Sequence, residues 1–208
     1  MSAQQSIPKE QITGLILAGG KGTRMGSVDK GLQMFRGAPM AQHVLQRLRP
    51  QVGALLINAN QHADRYAALG APVWPDEFSG FAGPLAGLHA GLSHCNTPYL
   101  ATAPCDSPFL TANLIEQLSA ALIAAQANIA IAVTGEGVTR QRHPVFCLLS
   151  THLKDDLADY LGKGGRKMDA WFARHAQVEV YFADETSFAN INTVDELNAL
   201  SAQSAASD

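Results

Sequence analysis

Three cysteines in 208 residues, Cys95, Cys105 and Cys147, are too few and too scattered for a disulfide framework. They form neither a CxxC pair nor the Cys/His spacing of a zinc site. The seven histidines show no HxH or HExxH pattern; His43, His62, His89 and His94 fall in helix-patterned stretches, and none is assigned to catalysis. Charge of one sign is also lacking: 15 Lys and Arg against 18 Asp and Glu leave a net charge of -3, which excludes an extended electrostatic grip on nucleic acid. No apolar run reaches the ~18 residues of a membrane helix, and Met1 to Glu10 lacks the apolar core of a secretion signal. A cytoplasmic protein with neither nucleic acid nor membrane as partner is expected. No internal repeat or linker divides the chain.

What is present is apolar sequence at regular intervals, 47% of the residues being hydrophobic, enough for a packed core. Residues 12–17, 54–58, 71–74, 99–103, 129–133, 145–149 and 178–182 read as strands, several solidly apolar, as parallel strands covered on both faces are. Residues 39–48, 62–69, 85–94 and 112–125 read as helices, the last with Thr111 as N-cap, and Thr193 begins a closing helix. This alternation predicts an α/β fold with a mostly parallel central sheet flanked by helices in three layers. The expected organisation is a flexible N-terminus (1–11), one domain (12–200) and a flexible Ala/Ser-rich tail (201–208).

The sharpest local feature is Leu17-Ala18-Gly19-Gly20-Lys21-Gly22-Thr23-Arg24-Met25-Gly26-Ser27-Val28-Asp29-Lys30, directly after the first strand. Ligands of open α/β sheets bind at that end. Glycines let backbone N–H groups approach phosphate oxygens, and Lys21, Arg24 and Lys30 add positive charge, a combination suited to a polyphosphate. A glycine-rich surface turn with solvated lysines is the plainer alternative. The segment lacks the Gly-Lys-Ser/Thr of a P-loop, and Met25 stands where GxGxxG needs its third glycine.

Leu-Ala-Gly-Gly, then Arg-Met-Gly, then Asp-Lys-Gly at Asp29 to Gly31 resembles the signature of molybdenum cofactor guanylyltransferases. Sugar nucleotidyltransferases place the lysine farther beyond the arginine, whereas Arg24 and Lys30 are six positions apart. Molybdenum cofactor cytidylyltransferases usually read Leu-Ala-Ala-Gly, and Gly19 stands at their second alanine. The resemblance spans Thr13 to Leu200 and implies a Rossmann-like nucleotidyltransferase fold, with a GTP-binding half (12–133) and a cofactor-binding lobe (134–200).

Nucleotidyl transfer calls for a hard Mg²⁺ ion held by one or two carboxylates, with phosphates completing its shell. Asp106 leaves an apolar strand within Pro104-Cys105-Asp106-Ser107-Pro108, on backbone stiffened by two prolines. An aspartate beside proline also serves as an ordinary turn residue; the resemblance to a Cys-Asp-x-Pro magnesium site favours the metal role. The resemblance further assigns Asp76 and Asn58 to the nucleotide, and Gly83, Pro84 and Leu85 of a Gly-Pro-Leu-Ala-Gly element to packing beside the base. Small residues before a helix also serve close packing.

Two basic clusters follow. Arg140, Arg142 and His143 are expected on a loop before the strand at Val145, and Lys163, Arg166 and Lys167 surround three glycines. Each fits an anionic cofactor or a solvated turn equally well. An Arg-x-Pro-like element, Arg142-His143-Pro144, favours the first. Asn190-Ile191-Asn192-Thr193 resembles an Asn-x-Asn-Thr-Pro element of the family, with Val194 in place of proline.

The resemblance implies transfer of GMP from GTP to molybdenum-molybdopterin, giving the guanine dinucleotide cofactor and pyrophosphate. Lys21 and Arg24 would neutralise the triphosphate, Lys30 would stabilise charge at the α-phosphate, and Asp106 would hold Mg²⁺, assisted by Asp76. Leu17, Ala18, Gly19 and Gly20 would line the nucleotide, and Arg142, Asn190 and Asn192 the cofactor. Molybdoenzyme apoproteins and molybdenum cofactor chaperones are the implied protein partners, and a monomer the implied state. The alternatives are the same chemistry with CTP or another small acceptor, and a noncatalytic GTP-binding carrier.

Overall fold

The computed structural model describes residues 5–20, 29–78, 83–191 and Glu196. Seven strands form one sheet: β1 (Ile12–Leu17), β4 (Ala54–Asn58), β5 (Val73–Trp74), β6 (Tyr99–Pro104), β7 (Ile129–Thr134), β8 (Gln141–Ser150) and β9 (Gln177–Tyr181), in the order β5-β4-β1-β6-β8-β7-β9. Only β8 runs antiparallel to its neighbours. A two-stranded hairpin, β2 (Met34–Phe35) with β3 (Ala38–Pro39), stands apart from the sheet.

Side-chain alternation sorts the core into two layers, one per sheet face. Ile12, Ile16, Leu55, Ile57, Ala101, Ala103, Phe146 and Leu148 meet helices α1 (Met40–Leu48), α2 (Ala63–Ala67) and α4 (Leu114–Ala124). Leu15, Leu17, Leu56, Leu100, Ile131, Cys147 and Leu149 meet α3 (Pro84–His94), α5 (Lys154–Gly162) and α6 (Met168–Phe172). The result is a three-layer α/β fold with a mostly parallel sheet. All six residues of β1 are buried, as a central strand covered on both faces requires. Helix α3 is buried over Leu85 to Leu92 because α5 packs on its outer side.

Several elements depart from the sequence reading. Strand β8 begins at Gln141, not Val145, so Arg142 and His143 lie in a strand and Arg140 at its threshold. Pro144 hid this: it has no N–H for the ladder, and the strand passes it through a bulge that moves the register from Ile131↔Cys147 to Ala132↔His143. The packed unit also starts before Ile12, since Ile7 is buried and Lys9–Gln11 form a 3₁₀ turn. Helices α5 and α6 went unread because they bury few residues each, Leu157 and Leu161 in one and Met168, Trp171 and Phe172 in the other. The closing helix expected at Thr193, apart from Glu196, lies outside the described residues. Among the described residues no helix is long and apolar enough to cross a membrane.

Thr111 does not cap α4; its hydroxyl donates to Asn113 Oδ1 (2.8 Å). The cap arrives from a distance. Gln51, just past α1, accepts from the Ile115 N–H through Oε1 (3.1 Å) and donates to the Thr111 carbonyl (2.9 Å). It thereby satisfies a first-turn N–H that no neighbouring side chain reaches. Gln51→Ala is expected to destabilise the protein by about 1–2 kcal/mol, the usual scale of a lost helix cap, read by chemical denaturation.

Candidate active site

The register of the parallel strands levels their carboxyl ends. Leu17 pairs with Asn58 on one side and with Pro104 on the other, and Asn58 pairs with Trp74. The ladder runs one step further, with Ala18 N–H donating to the Asn58 carbonyl (2.8 Å) and Cys105 N–H to the Leu17 carbonyl (3.1 Å). After β1 the chain leaves for β4 and β5, then returns to place β6 on the other side of β1. This reversal opens the crevice in which such sheets bind ligands. A cleft of ≈ 400 Å³ lies there, lined by Leu17, Ala18, Gly19, Gly20, Asp29, Lys30, Asn58, Asp76, Gly83, Pro84, Pro104, Cys105, Asp106, Val145 and Asn190.

Lys30 and Asp106, 76 positions apart, meet in this cleft, with Nζ 3.4 Å from Oδ2. Burial pushes the Asp106 carboxyl above the usual carboxylate range, while the ammonium of Lys30 pulls it back. The Lys30 turn is fixed from behind: Tyr66, wholly buried on α2, donates its hydroxyl to Asp29 Oδ1 (2.5 Å). Burial raises the Tyr66 phenol far beyond its usual range, so it remains a donor at any working pH. On the other flank Ile191 N–H donates to the Asp106 carbonyl (2.9 Å), and the Ser107 hydroxyl donates to Asn190 Oδ1 (2.5 Å). The C-terminal strap is thereby tied to the turn that carries the carboxylate.

A second polar group stands at the exits of β4 and β5. Asn58 Nδ2 donates to Asp76 Oδ1 (2.9 Å) and to the Trp74 carbonyl (3.2 Å). Asn60 Nδ2 donates to Asp76 Oδ2 (2.8 Å) and to the Gly19 carbonyl (3.2 Å). There is no space beside this group. A Cβ on Gly19 would lie 2.8 Å from Asn58 Oδ1 and 2.9 Å from Asn60 Nδ2, and one on Gly87 of α3 would lie 2.2 Å from Asn58 Oδ1. Gly83 (φ +66°) turns the chain into Pro84, the first residue of α3.

The cleft thus gathers Leu17, Ala18, Gly19, Gly20, Lys30, Asn58, Asp76, Gly83, Pro84, Asp106 and Asn190 from the residues read in the sequence. Lys21, Arg24 and Asn192 lie outside the described residues. Leu85 does not belong to the cleft; it is fully buried in the layer under α3. Arg142 does not reach it either, because its guanidinium is engaged by Glu179 and Asp169 (2.9 Å each). It lines an adjoining cleft of ≈ 660 Å³ with His143, Thr134, Glu185, Thr186 and Phe188, and Val145 and Asn190 border both spaces. Of the other basic cluster, Lys163 pairs with Asp159 (3.0 Å) and Arg166 donates to the carbonyls of Leu161 and Gly165, which are local roles at the end of α5.

Asn60 and Tyr66 were not singled out from the sequence. Nothing local marks them, since their partners lie 16 to 41 positions away. The thiols of Cys105 and Cys147 are no nucleophiles: burial drives Cys105 well above its usual range and Cys147 to about 12. A hard cation fits at Asp106, whose carboxylate opens on the cleft, whereas a metal held wholly by protein does not. Among the described residues no three His, Cys, Asp or Glu side chains gather to hold one.

Glycine-lined strand ends, a lysine and separated carboxylates around one cleft define an α/β protein whose chemistry gathers at the carboxyl ends of its parallel strands. The chain belongs to the family described as MobA-like NTP transferase domain, which matches residues 14–178. It is 59% identical to a molybdenum cofactor guanylyltransferase of Ralstonia nicotianae over 199 residues, covering 93% of this chain and 98% of that one. It is 52% identical to the enzyme so named in Bordetella pertussis, covering 93% and 98%. Among solved structures it superimposes on molybdopterin-guanine dinucleotide biosynthesis protein A from Archaeoglobus fulgidus with a TM-score of 0.73 at 24% identity, covering 93% and 99%. A 4-diphosphocytidyl-2C-methyl-D-erythritol synthase from Anaerococcus prevotii gives 0.74 at 12% identity, covering 95% and 100%, so at this level the likeness is one of fold.

Gly19→Ala is expected to weaken GTP binding at least tenfold, about 1.4 kcal/mol, because the methyl group must displace one of the two asparagines. Calorimetric titration reads the affinity, and a thermal melt within a few degrees of the parent separates this effect from unfolding.

Proposed function

We propose that this protein is a molybdenum cofactor guanylyltransferase: it joins GMP from GTP to molybdenum-molybdopterin and releases pyrophosphate. The observation that carries the reading is the meeting of Lys30 and Asp106 in one cleft with the glycine-lined exit of β1. The identity of more than half to relatives bearing that activity's name supports it.

In this reading the triphosphate lies along Gly19 and Gly20, and the ammonium of Lys30 faces the α-phosphate, where negative charge accumulates during transfer. Asp106 would hold Mg²⁺, which would supply charge neutralisation at the phosphates. Asp76 stands at the far edge of the cleft and reads the base. A carboxylate offers two adjacent acceptors, and guanine alone among the common bases presents two adjacent donors, N1–H and N2–H₂.

The acceptor occupies the adjoining cleft beside His143, Thr134 and Asn190, which shares Val145 and Asn190 with the first. Burial lowers the basicity of His143, so at neutral pH it is an uncharged hydrogen-bonding group there. An oxygen of the acceptor's terminal phosphate attacks the α-phosphorus of GTP. The bond from that phosphorus to the bridging β-phosphate oxygen breaks, and pyrophosphate leaves with the electron pair. The phosphate monoester is itself the nucleophile, and binding both substrates side by side supplies the proximity.

Pyrophosphate release with Mg²⁺ and molybdenum-loaded molybdopterin tests the reading, comparing GTP with CTP, ATP and UTP. Acceptor-dependent release selective for GTP is expected. Preference for CTP would make the protein a cytidylyltransferase, and GTP binding without release a carrier. Lys30→Ala and Asp106→Ala are each expected to lower turnover by about 100-fold or more while leaving the far-ultraviolet circular dichroism unchanged.

A further inference from the structure

We infer that Asn60 is a positioning residue for base selectivity, holding the Asp76 carboxylate in the orientation that discriminates guanine. The inference rests on the reading that Asp76 faces the base.

Asn60 is exposed, yet its side chain is committed to three hydrogen bonds, none with an adjacent residue. It donates to Asp76 Oδ2 (2.8 Å) and to the Gly19 carbonyl (3.2 Å), and its Oδ1 accepts from the Asp76 backbone N–H (2.8 Å). One side chain therefore joins the exits of β1, β4 and β5. Asn58 cannot do this alone. Its amide holds only Asp76 Oδ1 (2.9 Å), and a carboxylate held by one oxygen remains free to turn about its last torsion, where the energy wells are broad.

With both asparagines in place, each carboxylate oxygen receives one N–H from the protein and keeps acceptor capacity for a ligand in the cleft that Asp76 lines. The pair of acceptors is then fixed in plane and position before the base arrives. Pre-set polar groups of this kind discriminate strongly, because a ligand that lacks the matching donor leaves a desolvated acceptor unpaired. As an exposed residue outside the core, Asn60 adds little burial energy, so its loss affects geometry more than stability.

The test compares equilibrium binding of GTP and ITP, with Mg²⁺ and no acceptor, for the parent, Asn60→Ala, Asp76→Ala and the double variant. Inosine lacks only the 2-amino group, so the GTP/ITP affinity ratio reports the contact in question. Asn60→Ala is expected to lower that ratio at least fivefold, with ITP affinity changed less than about threefold, and to have no further effect on the ratio in the Asp76→Ala background. Asn60→Asp, which keeps the acceptor but sets two carboxylates face to face, should also lower it. If Asp76→Ala collapses the ratio while Asn60→Ala leaves it intact, the positioning role is overturned and base reading by Asp76 stands. If Asp76→Ala leaves the ratio intact, base reading by Asp76 fails and the inference falls with it. Equal weakening of GTP and ITP by Asn60→Ala would also overturn it, since a merely structural contact acts that way.

Discussion

The site depends on keeping the Asp106 carboxylate largely out of water, which is unfavourable unless cations and hydrogen bonds compensate. That one demand accounts for much of its surroundings. Lys30 must come within reach, so its turn is braced through Asp29 by the hydroxyl of a fully buried tyrosine. The turn bearing Asp106 must stay fixed, so it is flanked by prolines and tied by its own carbonyl to Ile191. In this way α2, the β1 exit, β6 and the C-terminal strap converge on a single charge.

The second polar centre, at Asp76, follows a different principle. It is partly open to solvent, and neutral amides hold it. A carboxylate held at both oxygens by amides has a fixed acceptor geometry, which suits recognition. One paired with an ammonium suits the management of phosphate charge. The two carboxylates at opposite edges of one cleft are thus distinguished by the groups that hold them.

Much of this was legible in the sequence because the α/β sheet places its chemistry at the ends of apolar runs. Leu17, Asn58, Asp76 and Asp106 could each be found by reading an apolar strand to its last residue and looking just beyond. One residue read beside the base lies in the core, and another is engaged by partners that no local pattern marks. Leu85 belongs to the core because it faces the sheet from the first turn of α3, and Arg142 lines the adjoining cleft with its guanidinium engaged by Glu179, which the pairing of β7 with β9 brings near, and by Asp169 of α6. Pro144 concealed the first half of β8, and Asn60 and Tyr66 act through long-range contacts that leave no local pattern.

The volumes around Asn58 constrain how such a pocket can change over generations. A methyl group at position 19 and the two asparagines exclude one another, as do a methyl group at position 87 and the Asn58 carbonyl. Alanine can therefore enter the loop only if an asparagine side chain moves aside, which loosens the grip on Asp76. Changes at positions 19, 58, 60 and 87 are thus coupled, and drift at one of them alone meets resistance from the others.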